Sequence, residues 1–158
     1  MANIEQLTRA NTNYRRVLCT TPTMQLVVMC LEPLAEIPTE THPHTTQFIR
    51  VESGTGVVTM NQIPVRLDPD HMIIIPPNTA HRVQNTSPTT RLHIYTIYSP
   101  PEHPEDCVQQ KATDVCERAN HAHQANHANH ANHANHANHA NQETQIDRKP
   151  KRYRLIRT

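Results

Sequence analysis

Glycine is almost absent: the 158 residues include only two, Gly54 and Gly56. This excludes the glycine-rich loops that cradle phosphates in nucleotide-binding proteins. Long apolar runs are missing as well. No stretch approaches the ~18–20 residues of a membrane-spanning helix, and no signal-type apolar segment precedes the first cysteine. The four cysteines, Cys19, Cys30, Cys107 and Cys116, show no C-x-x-C spacing. The expectation is an intracellular, cytoplasmic protein with reduced thiols, two of them in strands. A Cys107/Cys116 metal pair has no spacing to support it. No long helical period occurs, so strands are the elements to look for.

What is present is unevenly spread. Apolar residues make up 35% of the chain and nearly all lie before residue 117. About 110 residues are enough for one independently folding core. Residues 1–118 carry 9 Lys and Arg against 12 Asp and Glu, whereas residues 119–158 carry 6 against 2. A mildly acidic domain, bounded here at 14–118, therefore precedes a basic tail. Strands are expected at 14–20, 24–31, 47–52, 56–60, 63–67, 72–75, 82–85 and 92–98, with turn signals such as Thr21-Pro22-Thr23 and Asp68-Pro69-Asp70 between them. Short strands at such close spacing favour an all-β fold, a closed barrel or jelly roll. Pro64 suits an edge strand. Residues 1–13 read as a loosely attached polar arm, Pro33 and Pro38 bracket an irregular link, and Lys111 to Arg118 read as a helical turn.

Two segments follow the domain. Residues 119–142 repeat Asn-His-Ala with a period of three, placing His127, His130, His133, His136 and His139 in register. That period drifts around an α-helix, and no residue in it can build a core, so disorder is expected. Residues 143–158 include six cations between Arg148 and Arg157. Such a tail could serve as a nuclear address or a nucleic-acid contact, although Tyr153 alone gives little base stacking.

The chemistry gathers in two polar clusters, Glu40-Thr41-His42-Pro43-His44-Thr45-Thr46-Gln47 and Pro76-Pro77-Asn78-Thr79-Ala80-His81. A carboxylate, imidazoles and an amide form a mixed nitrogen and oxygen set without thiolate. If the fold joins them, one divalent transition ion (Mn, Fe, Co, Ni or Zn) suits the set.

The spacing of these residues resembles that of the cupins, whose motifs read G-x5-H-x-H-x3,4-E-x6-G and G-x5-P-x-G-x2-H-x3-N. In the second motif Asp70 stands for the first glycine. Pro76, Asn78, His81 and Asn85 follow at the family's intervals, with Asn78 in the place of the second glycine. In the first motif, counting back from Gly54 puts Gln47 at the acidic position, His42 at the second histidine and Glu40 at the first. A register on His42-x-His44 would place Phe48 or Ile49 at a ligand position, so His44 is kept in reserve. The 15 residues from Thr55 to Pro69 match the short inter-motif form.

The likeness extends over roughly residues 14–112 to small single-domain cupins similar to the mannose-6-phosphate isomerase cupin domain. It implies a double-stranded β-helix, usually dimeric, with Glu40, His42, Gln47 and His81 as metal ligands. His93 and Tyr95, on one face of the last long strand, are the candidate substrate contacts. Two functions are open. One is a metal-dependent enzyme, isomerase-like or dioxygenase-like, acting on a small polar molecule such as a sugar, and the other is a non-catalytic metal- or sugar-binding module.

Overall fold

Alternation decides the architecture. In Leu92–Ser99 every second residue from Leu92 to Tyr98 is buried, and in Thr46–Ser53 the odd-numbered positions from Gln47 to Val51 are. Side chains two apart share a face, so each strand has an inner row, and two sheets close around those rows. The computed structural model describes residues 1–116. In chain order these hold α1 (Ile4–Ala10), β1 (Arg15–Thr20), β2 (Gln25–Leu31), β3 (Glu36–Glu40), β4 (Thr46–Ser53), β5 (Gly56–Met60), β6 (Ile63–Leu67), β7 (Met72–Ile75), β8 (His81–Asn85), β9 (Leu92–Ser99) and β10 (Val108–Gln109). A six-stranded sheet runs β10-β1-β2-β9-β4-β7 and a four-stranded sheet runs β3-β8-β5-β6. All pairings are antiparallel. This is the expected jelly roll. Its core lies between the sheets, where Val27, Met29, Ile49, Val58 and Ile94 have no exposed surface.

Four features differ from expectation. The link around Pro38 is a strand, β3. Proline is tolerated there because β3 is the sheet's edge and its register with β8 shifts between Ile37 and Glu40. The N-terminal arm is not loose: Ile4–Ala10 is a helix capped by the Asn3 side chain, packed against β2, β4 and β9. Seven residues are too few to hold a helix alone, so this packing sustains it, and it buries Thr8 completely. Lys111 to Cys116 contain a turn, closed by Asp114 N–H to Lys111 O at 3.1 Å, and no helix. Finally, Cys107 and Cys116 form a disulfide across a Cα separation of 5.2 Å, within the range such a bond needs. The reduced-thiol expectation fails for this pair, and so does a metal site on it. Cys19 and Cys30 are free thiols in β1 and β2.

Both glycines are required where they stand. Gly54 has φ +84° and an added Cβ would collide with the Arg91 carbonyl, while at Gly56 it would lie 2.8 Å from the Gln84 carbonyl oxygen. Pro64 lies in β6, an edge strand as read from the sequence. The Asn-His-Ala repeat and the basic tail lie outside the described residues. Among the described residues no helix is long and apolar enough to cross a membrane.

Candidate metal centre

The two polar clusters meet at one end of the space between the sheets. Glu40 closes β3 and pairs across the ladder with His81, the first residue of β8. His42 follows two residues later, where the chain leaves the sheet. The Pro76–Ala80 turn is tied to this loop by Asn78 N–H donating to the His42 carbonyl at 2.9 Å. Asn78 adopts φ 59° and Asp70 φ 69°, the left-handed conformation that a glycine would otherwise supply. Gln47 reaches in from the opposite sheet, on the inner row of β4 between Ile75 and Tyr98.

One donor atom from each of Glu40, His42 and His81 lies within 4.8 Å of the others. Glu40 Oε1 is 3.3 Å from His42 Nε2 and 3.4 Å from His81 Nε2. The His81 contact is poorly aligned, and its buried Nε2 makes no hydrogen bond. The other ring nitrogen explains why that atom is a lone pair: His81 Nδ1 donates to the Thr79 carbonyl at 2.9 Å, so Nε2 is the unprotonated one. Burial works to raise the Glu40 carboxyl, but the neighbouring imidazoles, the hydrogen-bonded His42 first, outweigh it and hold it at about 2. The Glu40 hydrogen bond, acting against burial, raises His42 above the ordinary imidazole range.

Gln47 is 1% exposed, and its amide is fixed by two hydroxyls. Nε2 donates to Thr96 Oγ1 at 3.2 Å and to Tyr98 Oη at 3.1 Å. Both amide hydrogens are thereby used, and Oε1 is left buried with no partner. An unpartnered buried acceptor is costly unless a ligand completes it. Burial raises the Tyr98 phenol, with the Glu40 charge adding to the effect, so it stays protonated. A divalent ion with mixed ligands fits these observations: two nitrogen lone pairs, a carboxylate and an amide oxygen, two of them buried and otherwise unsatisfied.

Three residues singled out in the sequence are placed elsewhere. His44 is exposed, because the chain bends at Pro43-His44 instead of continuing β3. His93 and Tyr95 lie on the outer row of β9, opposite the centre. His93 Nδ1 is 2.9 Å from Ser53 Oγ, and burial lowers its pKa. Tyr95 rests on Phe48 with ring centroids 5.9 Å apart. The parity was readable, since Leu92 and Ile94 are the apolar positions of that strand and mark the inner row, which continues into Thr96 and Tyr98. Sequence reasoning also missed Glu102, whose Oε1 lies 3.1 Å from His42 Nδ1. It sits in a loop that no motif includes.

Residues 27–98 match the cupin domain family. The chain belongs to the cupins. It is 40% identical over 110 residues to an uncharacterized protein of Acanthamoeba polyphaga mimivirus, covering 66% of this chain and 67% of that one. It is 35% identical over 120 residues to the uncharacterized protein YrkC of Bacillus subtilis, covering 72% of this chain and 64% of YrkC, a little under two thirds of its length. Among solved structures, BH2720 from Bacillus halodurans superposes with a TM-score of 0.68 at 37% identity, over 70% of this chain and 87% of that one.

Proposed function

We propose that this cupin holds one divalent transition ion on Glu40, His42, Gln47 and His81, and uses it on a small polar, sugar-like molecule. What carries the reading is the buried His81 Nε2, left without a partner beside Glu40 and His42, together with the equally unpartnered Gln47 Oε1 on the inner row of β4. When bound, such an ion polarises a carbonyl or ionises a water. The chain's own residues prepare its seat. Thr79 orients His81, Thr96 and Tyr98 orient Gln47, and Glu40 stays ionised at any working pH. With neutral Gln47 in place of a carboxylate, the centre carries one less negative charge, which weakens ion binding but keeps a bound ion more electrophilic, as Lewis-acid isomerase-like chemistry wants.

The second reading, a non-catalytic binding module, is favoured by one observation. The carboxylate of Glu102 is already engaged by His42 and Thr45, so it does not stand ready as a free base. A homodimer is the expected assembly, and β7 offers a surface for it. β7 is an edge strand with Met72 and Ile74 each more than half exposed on its outer face.

The test is elemental analysis of the chain truncated after Arg118, because the seven histidines of 119–142 would scavenge metal themselves. The reading expects about one ion per chain, lost in both His42→Ala and His81→Ala. Absence of stoichiometric metal after reconstitution with each candidate ion would end it. With metal bound, turnover of sugar-like substrates separates an enzyme from a binder.

A further inference from the structure

We infer that Glu102 is a positioning residue for this centre, holding His42 in the tautomer that offers Nε2 to the ion. The inference rests on the metal reading above and assigns a role outside both cupin motifs. Glu102 stands 60 residues beyond His42 and comes back to it on the loop that follows β9. That loop is pinned by Gln25, a side chain with no exposed surface. Gln25 Oε1 accepts from Glu102 N–H at 3.3 Å and from His103 N–H at 2.9 Å. Gln25 Nε2 donates to the His103 carbonyl at 2.8 Å and to Thr20 Oγ1 at 2.9 Å. Every polar atom of the buried amide is thus used to fix the loop.

The carboxylate is itself held at both ends. The hydroxyl of Thr45, which is 3% exposed, donates to Glu102 Oε2 at 2.9 Å. Glu102 Oε1 meets His42 Nδ1 at 3.1 Å. Each imidazole of the centre therefore meets an oxygen at Nδ1, His81 in a hydrogen bond and His42 in an ion-pair contact, with each Nε2 turned to Glu40. The grips differ in charge: a carbonyl holds His81 and a carboxylate holds His42. A carboxylate on the far nitrogen fixes ring orientation and makes the imidazole a stronger donor. It also places one negative charge just outside the ligands, which makes up in part for neutral Gln47.

The test compares Glu102→Ala, Glu102→Gln and Thr45→Val with wild type by competitive Zn²⁺ titration of the full chain. A His42→Ala/His81→Ala variant supplies the background from the tail histidines. Glu102→Ala should weaken binding by about 10–100-fold. Glu102→Gln keeps an acceptor for Nδ1–H and should lose less than about tenfold, and Thr45→Val should fall between it and wild type. A second readout needs no metal. Nitrogen chemical shifts of His42 in the metal-free protein, taken in a Glu40→Ala background that removes the competing acceptor at Nε2 and at a pH where the ring is neutral, should show Nδ1–H with Glu102 intact or as Glu102→Gln, and Nε2–H with Glu102→Ala. Wild-type affinity in Glu102→Ala together with an unchanged tautomer overturns the inference and leaves the metal centre standing. If wild type takes up no Zn²⁺ above background, the metal reading falls, and the tautomer shift still decides what Glu102 does.

Discussion

Single residues carry the clearest marks of compromise. Leu34 falls at the opening glycine position of the first cupin motif, six residues before Glu40. It adopts φ 64° there, with its side chain 62% exposed. A leucine in this region costs on the order of 1 kcal/mol that a glycine avoids. Leu34→Gly, which gives up little packing, should therefore raise the unfolding free energy by up to about 1 kcal/mol. Chemical denaturation measures it, and a clear loss would show that Leu34 makes contacts worth more than the strain. Asp70 and Asn78 bear the same backbone demand with side chains better suited to it.

Among the elements, β9 does the most to separate function from scaffold. Its inner row delivers Tyr98 and Thr96 to the Gln47 amide, and its outer row lies partly beneath α1, where His93 sits beside Ser53. The two rows make opposite predictions. Tyr98→Phe removes one acceptor of the Gln47 amide and should weaken metal binding on the order of tenfold, whereas His93→Ala should leave it within error. Titration of the two variants side by side checks this, and a loss confined to His93→Ala would reverse the assignment of the rows. The β3 edge matters equally, because without it Glu40 would have no ladder partner to set it opposite His81.

For the whole molecule, stability and assembly are the measurable properties. Burial lowers His103 to about 4, and its Nε2 is buried without a partner. Between the unfolded value near 6.5 and this one, the unfolded chain binds the proton and the folded one does not. The His103 contribution is thus full above about pH 6.5 and is lost as pH falls toward 4. Allowing for partial exposure, the loss is on the order of 1–2 kcal/mol. His42, shifted upward, acts in the opposite sense and gains stability below its folded value. The diagnostic is the difference: His103→Gln should flatten the fall in melting temperature between pH 6.5 and 4, and an unchanged slope would rule His103 out as its source. Assembly is tested separately. Ile74→Lys on the outer face of β7 should convert the proposed dimer to a monomer in light scattering, a persistent dimer would move the interface elsewhere, and a monomeric wild type would end the dimer proposal.

Sequence alone was sufficient for the class and for most of the strands. Two-residue alternation and turn residues are local signals, and a half-buried strand writes its inner row directly into the chain. Spacing relative to Gly54 and Pro76 likewise singled out Glu40, His42 and His81, whose ligand atoms the fold gathers within 4.8 Å of one another, because motif spacing preserves which side chains end on the same side of neighbouring strands. Tertiary structure decided what depends on contacts distant in sequence. Pro38 lies in a strand because an edge with a shifted register has room for it. The polar N-terminus is a helix because a sheet face supports it. Cys107 and Cys116 are bonded because the chain turns back after β10. His44 is exposed because a bend, and not an extended strand, follows His42. Glu102 and Gln25 were beyond local reading altogether. Each acts through a partner more than 55 residues away; pairing of β2 with β9 brings Gln25 to its loop, and the approach of the two sheets brings Glu102 to His42.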